Sequence, residues 1–157
     1  MICTADTGFG PIQYDDAAVI TIEGGLLGFP DDTQFVLLEH GDGDTLGYLQ
    51  SLTTPTLAFP VMDPAFLAPE YPQPGPVVLA EIAELGTEQV GMLVVVYGDG
   101  NGGQLHANLA SPIVIDILAR RGKQVLLDAN VFSNHFPVGA TSHVTSPPPN
   151  ASKQSAA

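Results

Sequence analysis

The chain has 157 residues, 45% of them hydrophobic and 13% charged, which suits one compact domain with a real core and excludes a wholly disordered chain. Four Lys and Arg stand against seventeen Asp and Glu, a net charge of −13. Such a surface repels phosphate backbones, which argues against direct nucleic-acid binding, and it attracts a basic partner.

Met1 to Gly10 holds the lone cysteine, Cys3, in a segment expected to be mobile, and a single thiol makes neither an internal disulfide nor a zinc site. The segment has no basic stretch leading into an apolar run, so no signal peptide is read, and the longest apolar runs, such as Met92–Tyr97, are far too short to span a bilayer. The expected setting is the cytoplasm, away from membranes. Strands are expected at Ala18–Ile22, Gln34–Glu39, Gly47–Ser51 and Thr56–Val61, short apolar runs punctuated by Gly and Pro. In the first of these, Ile20 and Ile22 take one face and Thr21 and Glu23 the other. After Asp63-Pro64, Ala65–Glu70 reads as one helical turn, because Asp caps well and Pro suits the first turn. Val77–Glu81, Val90–Tyr97 and Leu105–Leu109 read as further strands, with Leu93–Tyr97 central and buried on both faces. Pro112–Leu127 is compatible with one helix, but β-branched Val114, Ile115 and Ile117 favour a hairpin of Ile113–Ile117 and Gln124–Leu127, turning at Arg121-Gly122-Lys123. Prolines interrupt most windows a long helix would need. The expected fold is therefore all-β, a small barrel-like domain of eight or nine short strands with at most short helical turns. It spans residues 1–140 and is followed by a Ser-, Thr- and Pro-rich tail, 141–157, expected to be disordered.

Motifs for chemistry fail on inspection. Gly98-Asp99-Gly100-Asn101-Gly102-Gly103 has the letters of a dinucleotide loop, but Gln104–Ala110 is too short for the helix that must follow, and Asp99 would set a carboxylate against a phosphate. A hairpin loop is the better reading. The same loop, and His40-Gly41-Asp42-Gly43-Asp44, begin like calcium loops and lack the closing bidentate carboxylate. Ser51 and Ser111 lack the glycines of a nucleophile elbow. His106 and Asn108 share a strand face, where a structural or surface histidine is the plainer reading. No enzyme, metal or cofactor is expected.

Glu23-Gly24-Gly25-Leu26-Leu27-Gly28-Phe29 resembles the early G-[LI]-x-G-F signature of the FliW family. Phe35-Val36-Leu37-Leu38, Leu49-Gln50-Ser51, Leu57-Ala58-Phe59, Asp63-Pro64 and Tyr71 follow at family-like intervals. Ala107-Asn108-Leu109-Ala110-Ser111-Pro112-Ile113-Val114-Ile115 is similar to the family's N-L-x-A-P-I-V-I-N segment, and Gln124-Val125-Leu126-Leu127 to its Q-V-[IV]-L strand. The likeness covers about Thr7 to Val138. Departures are Ile22-Glu23 in place of Phe-Pro, Ser111 in place of Ala, Asp116 in place of Asn, and Pro72 where an acidic residue is common. The resemblance implies a small β-barrel-like fold and a switch between two protein partners, with no covalent step. One partner is cytoplasmic flagellin. The other is CsrA, the carbon storage regulator, whose repression of flagellin translation a bound FliW relieves. Two other readings are a flagellin-only chaperone and a small ligand-binding barrel or hydrolase with an inward-facing site.

The residues expected to meet a partner are Asn108, Asp63, Glu70, Tyr71 and Gln50. Asn108 is an amide inside an apolar motif, able to bond a partner's backbone or a neighbouring loop. Asp63 to Tyr71 is an exposed Pro-rich connection offering Glu70 as charge and Tyr71 as anchor, unless Asp63 merely caps and Tyr71 joins the core. Gln50 either faces a partner or alternates outward on its strand. Phe29 is expected in the core.

Overall fold

The computed structural model of the chain describes residues 1–39, 46–67, 71, 75–98 and 103–138. In chain order the strands are β1 (Ile2–Thr7), β2 (Gly10–Asp15), β3 (Ile20–Ile22), β4 (Gln34–Glu39), β5 (Leu46–Ser51), β6 (Ala58–Met62), β7 (Val90–Gly98), β8 (Leu105–Ala107), β9 (Ile113–Asp116), β10 (Arg121–Gln124) and β11 (Phe136–Pro137). Among the described residues one α-helix, α1 (Pro76–Ile82), lies between β6 and β7. Strands β3 to β7 form an antiparallel meander. The first half of β7 then pairs with β9, β9 turns into β10, and β10 lies parallel to β3, closing a seven-stranded barrel. The second half of β7 pairs with β8, and β11 with β8, as an extension. Strands β1 and β2 form a separate two-stranded ribbon.

The barrel is solid because its strands alternate. Ile20, Ile22, Phe35, Leu49, Val61, Ile113 and Ile115 point inward and are all nearly inaccessible to solvent, with Leu26 at one end. Strand β7 is buried on both sides, as its unbroken apolar run requires. Leu93 and Val95 pack on the barrel core, while Val94 and Val96 pack with Met62, Ala107, Leu109 and Val138 on the outside. Met92 and Val114 lie under α1, against Leu79, Ala80 and Ala83.

Four features differ from the sequence reading. Val77–Glu81 is not a strand but the body of α1, with Gly75 as N-cap and Pro76 at the first turn. The β-branched pair Val77-Val78 suggests a strand, but Leu79, Ala80 and Ala83 recur at helical spacing and form the buried stripe. The helix ends in a Schellman motif: Leu85 N donates to Ala80 O (2.8 Å) and Glu84 N to Glu81 O (3.0 Å), with Glu84 left-handed at φ 60°. The N-terminal segment is not loose; Cys3 sits in β1, opposite Tyr14 of β2. The β9–β10 hairpin turns earlier than expected. Arg121-Gly122-Lys123 belongs to β10, and the turn falls at 117–120, where Asp116 Oδ1 accepts from Ala119 N (3.1 Å). Gly122 is required there because a Cβ would stand 2.8 Å from Val114 O. Finally, β11 is an added edge that its Phe-Pro sequence does not announce. The tail 141–157, the loop tips 40–45 and 99–102, Glu70 and Pro72 lie outside the described residues. Strands β7 and β8, which flank 99–102, are antiparallel, and strand rather than helix resumes at Leu105.

Candidate functional site

Between β3 and β4 the chain makes a tight excursion, Glu23 to Asp32, that three glycines permit. Gly24, Gly25 and Gly28 have φ of 74°, 69° and 88°, the left-handed region that side chains disfavour. Gly25 is the most constrained, since a Cβ would lie 2.3 Å from Phe29 O and 2.9 Å from Pro30 Cα. Phe29 N donates to Leu26 O (2.7 Å), so Leu26 turns inward to the core while Leu27 and Phe29 turn out. Leu27 is 62% exposed, and Phe29 is 39% exposed with its ring edge-on to Phe59, centroids 5.2 Å apart. Phe29 is therefore a partly presented ring rather than a core residue.

Two anchors fix this loop from either side. The amide of Gln124 bridges it to the segment after β8: its Oε1 accepts from Leu27 N (2.6 Å) and its Nε2 donates to Ser111 O (3.0 Å). Three stretches distant in sequence thus meet at one side chain. On the other side, Ser51 Oγ donates to buried Asp32 (2.6 Å) and accepts from Thr53 N and Thr54 N (3.0 Å each). Ser51 is thereby committed to holding the β5–β6 connection. Its hydroxyl, followed by Thr54, holds the Asp32 carboxyl below its ordinary value against the opposing effect of burial.

The residues singled out from sequence fall into two places. Gln50 is fully buried, which corrects the expectation that it faces outward. Its Nε2 lies within hydrogen-bond distance of Ser51 O, Pro55 O and Leu57 O (3.0, 3.0 and 3.2 Å), and its two hydrogens, shared among these carbonyls, knit the same β5–β6 connection from within. Tyr71, Asn108 and Asp63 gather on the outer side of β7. Tyr71 donates to Leu109 O (2.5 Å), meets Phe132 edge-on at 5.5 Å, and packs against both outer clusters, and burial pushes its phenol well above the ordinary range. Asn108 Oδ1 accepts from Ala110 N (3.0 Å), turning the chain toward Ser111-Pro112. Asp63 caps a short 3-10 turn, Pro64–Phe66, by accepting from Ala65 N (2.9 Å). His106 lies among the rings of Tyr97 and His135. Sequence reasoning missed Leu27, Gln124 and Asp32 as determinants of the presented loop. The signal available for the first was its place between glycines that demand left-handed backbone.

A family model described as FliW protein matches residues 4–138. The chain belongs to the FliW family. Among relatives, the flagellar assembly factor FliW of Bdellovibrio bacteriovorus is 31% identical over 133 residues, covering 83% of this chain and 75% of that protein. The flagellar assembly factor FliW of an Exiguobacterium species is 33% identical over 143 residues, covering 85% of this chain and 92% of that protein. A crystal structure of the flagellar assembly factor FliW matches with a TM-score of 0.74 at 29% identity, over 86% of this chain and 96% of that one. The FliW assignment makes this chain a flagellar assembly factor and accounts for its solid barrel with short extra strands. Among the described residues no helix is long and apolar enough to cross a membrane, and no His, Cys, Asp or Glu group is arranged to hold a metal ion.

Proposed function

We propose that this FliW-family chain acts in the cytoplasm as a partner switch, binding flagellin and the translational regulator CsrA, and so coupling flagellin synthesis to export without chemistry of its own. Competing binding free energies suffice for such a switch. The observation that carries the reading is the Glu23–Asp32 loop. It presents Leu27 and Phe29 from a backbone fixed by Gly25 and Gln124, on an otherwise acidic protein. Pre-ordered apolar anchors bind at low entropic cost, which suits an amphipathic segment of unassembled flagellin. The charge of −13 suits a basic RNA-binding regulator and implies association that slows as salt screens it. Asn108, Asp63 and Tyr71 are assigned to shaping the surface near β7, and Glu70, whose position lies outside the described residues, to a charged contact with a partner.

Titration calorimetry against CsrA and then flagellin, at low and moderate salt, tests the switch. CsrA binding that weakens with salt and is displaced by flagellin supports it; binding to neither protein refutes it. Leu27→Asp should weaken flagellin binding at least tenfold with unchanged melting, because the side chain is exposed. Wild-type affinity in that variant would remove the loop from the footprint.

A further inference from the structure

The ribbon of β1 and β2 has two outer edges, and they are unequal. The register pairs Ile2 with Asp15, Thr4 with Gln13 and Asp6 with Pro11. Asp16 N donates to Met1 O (3.0 Å), so Met1 and Asp16 face each other as a hydrogen-bonded pair. In an antiparallel ladder such pairs alternate with pairs whose polar groups point away. The inward pairs are therefore Cys3 with Tyr14, Ala5 with Ile12 and Thr7 with Gly10. Ile2, Thr4 and Asp6 aim their N–H and C=O groups out of the β1 edge, and Pro11, Gln13 and Asp15 aim theirs out of the β2 edge. Pro11 has no N–H to offer, so the β2 edge is blunted, as is the two-residue β11 with Pro137. The β1 edge carries no proline, and among the described residues no backbone group bonds to it.

Side chains follow the same alternation. Ile2, Thr4 and Asp6 lie on one face and are all exposed, with Ile2 65% exposed, while Cys3, Ala5 and Thr7 on the other face are partly covered. At one end of this face Asp15 shares the α-amino group with Asp16. At the other, Asp6 has no cation among the described residues, and no Lys or Arg lies on the ribbon.

We propose that the β1 edge is a docking site for an extended segment of another protein, added antiparallel as a third strand, with Lys or Arg opposite Asp6 and a β-branched apolar residue opposite Ile2. Backbone bonds to Ile2, Thr4 and Asp6 would supply affinity, and the alternate side chains selectivity. A cationic strand is favoured over a second copy of this chain, because two molecules of charge −13 repel and a second β1 paired antiparallel about Thr4 sets Ile2, not a cation, opposite Asp6. The site stands on the ribbon alone and does not depend on the flagellin and CsrA assignment.

The probe is a short blocked peptide with lysine, valine and isoleucine at alternate positions between threonines. On its addition, amide hydrogen exchange should slow at Ile2, Thr4 and Asp6 but not at Cys3 or Ala5, an alternation that non-specific adsorption does not produce. Thr4→Pro removes one outward N–H and none that bonds to β2, so it should cut peptide affinity at least tenfold while leaving the melting temperature near wild type. Asp6→Asn should cut it about threefold and flatten its salt dependence. Uniform or absent slowing of exchange, or equal binding by a folded Thr4→Pro variant, overturns the proposal. A concentration-dependent dimer in sedimentation that Thr4→Pro abolishes would overturn the choice of partner, assigning the edge to a second copy. The peptide readout distinguishes these failures from failure of the partner switch, which is measured with flagellin and CsrA.

Discussion

Alanine substitution at neighbouring glycines separates two causes of rigidity in the presented loop. Gly24 and Gly25 have nearly the same φ, 74° and 69°, so both substitutions incur the left-handed penalty of roughly 1–2 kcal/mol. They differ in space: a Cβ at Gly24 meets nothing within 4 Å, whereas one at Gly25 lies 2.3 Å from Phe29 O, 2.9 Å from Pro30 Cα and 3.0 Å from Asp32 O. These are backbone atoms of the same loop, which cannot rotate aside as a side chain would. Relieving the overlap adds about 1–3 kcal/mol, by analogy with overpacked cores. Gly24→Ala should therefore cost about 1–2 kcal/mol and Gly25→Ala about 2–5 kcal/mol. Urea denaturation with matched slopes measures both, and the melting temperature should fall by about 2–4 °C per kcal/mol. Gly25→Ala should also displace Leu27 and Phe29 and weaken whatever they bind, while Gly24→Ala should not. Equal costs for the two variants would refute the claim that backbone contact, beyond φ, fixes the loop.

Three further outcomes are expected. Glu84→Gly relieves a left-handed glutamate at the end of α1 and should stabilise the protein by about 0.5–1 kcal/mol, the gain being reduced by greater freedom in the unfolded chain; calorimetric melting checks it. Tyr71→Phe leaves Leu109 O without its 2.5 Å donor and should cost about 1 kcal/mol in urea unfolding, with the ring contact to Phe132 kept. Asp32, ordinarily near 3.8, is held lower in the folded state, so its stabilisation is present above about pH 4 and drains away as pH falls through the folded value. Asp32→Asn should flatten that part of the profile of melting temperature against pH below about 4.

Much of the barrel was legible because its strands are short, apolar and bounded by turn residues. The limits of β4 at Gln34–Glu39 match the sequence reading, and the Asp63-Pro64 turn follows from the local chemistry of capping. Errors arose where local preference and tertiary burial disagree. Val77-Val78 prefers a strand, yet the surface of Met92 and Val114 selects a helix. β1 buries too little to show an apolar stripe, and its order comes from pairing with β2. The candidate surface was less legible than the fold. Leu27 and Phe29 look like core residues in a list, and only the left-handed glycines turn them outward. Gln50 looks like a surface amide, and only the three carbonyls around it account for its burial. That Gln124 touches Leu27 depends on chain crossing, which no local pattern encodes.

Closure of the barrel has a consequence for synthesis. The pairing that seals it joins Thr21 to Arg121 and Ile22 to Gly122, positions 121 − 21 = 100 residues apart in the chain. Contacts of such long sequence separation form late and slowly, because a large loop must be ordered before they repay its entropy. On the ribosome, β3 to β7 can assemble as a meander while one side of β3 waits unpaired for β10. The edge most prone to aggregation is therefore an intermediate's, hidden once the nascent chain has emerged past Gln124, and premature termination before Arg121 releases an open sheet in place of a barrel.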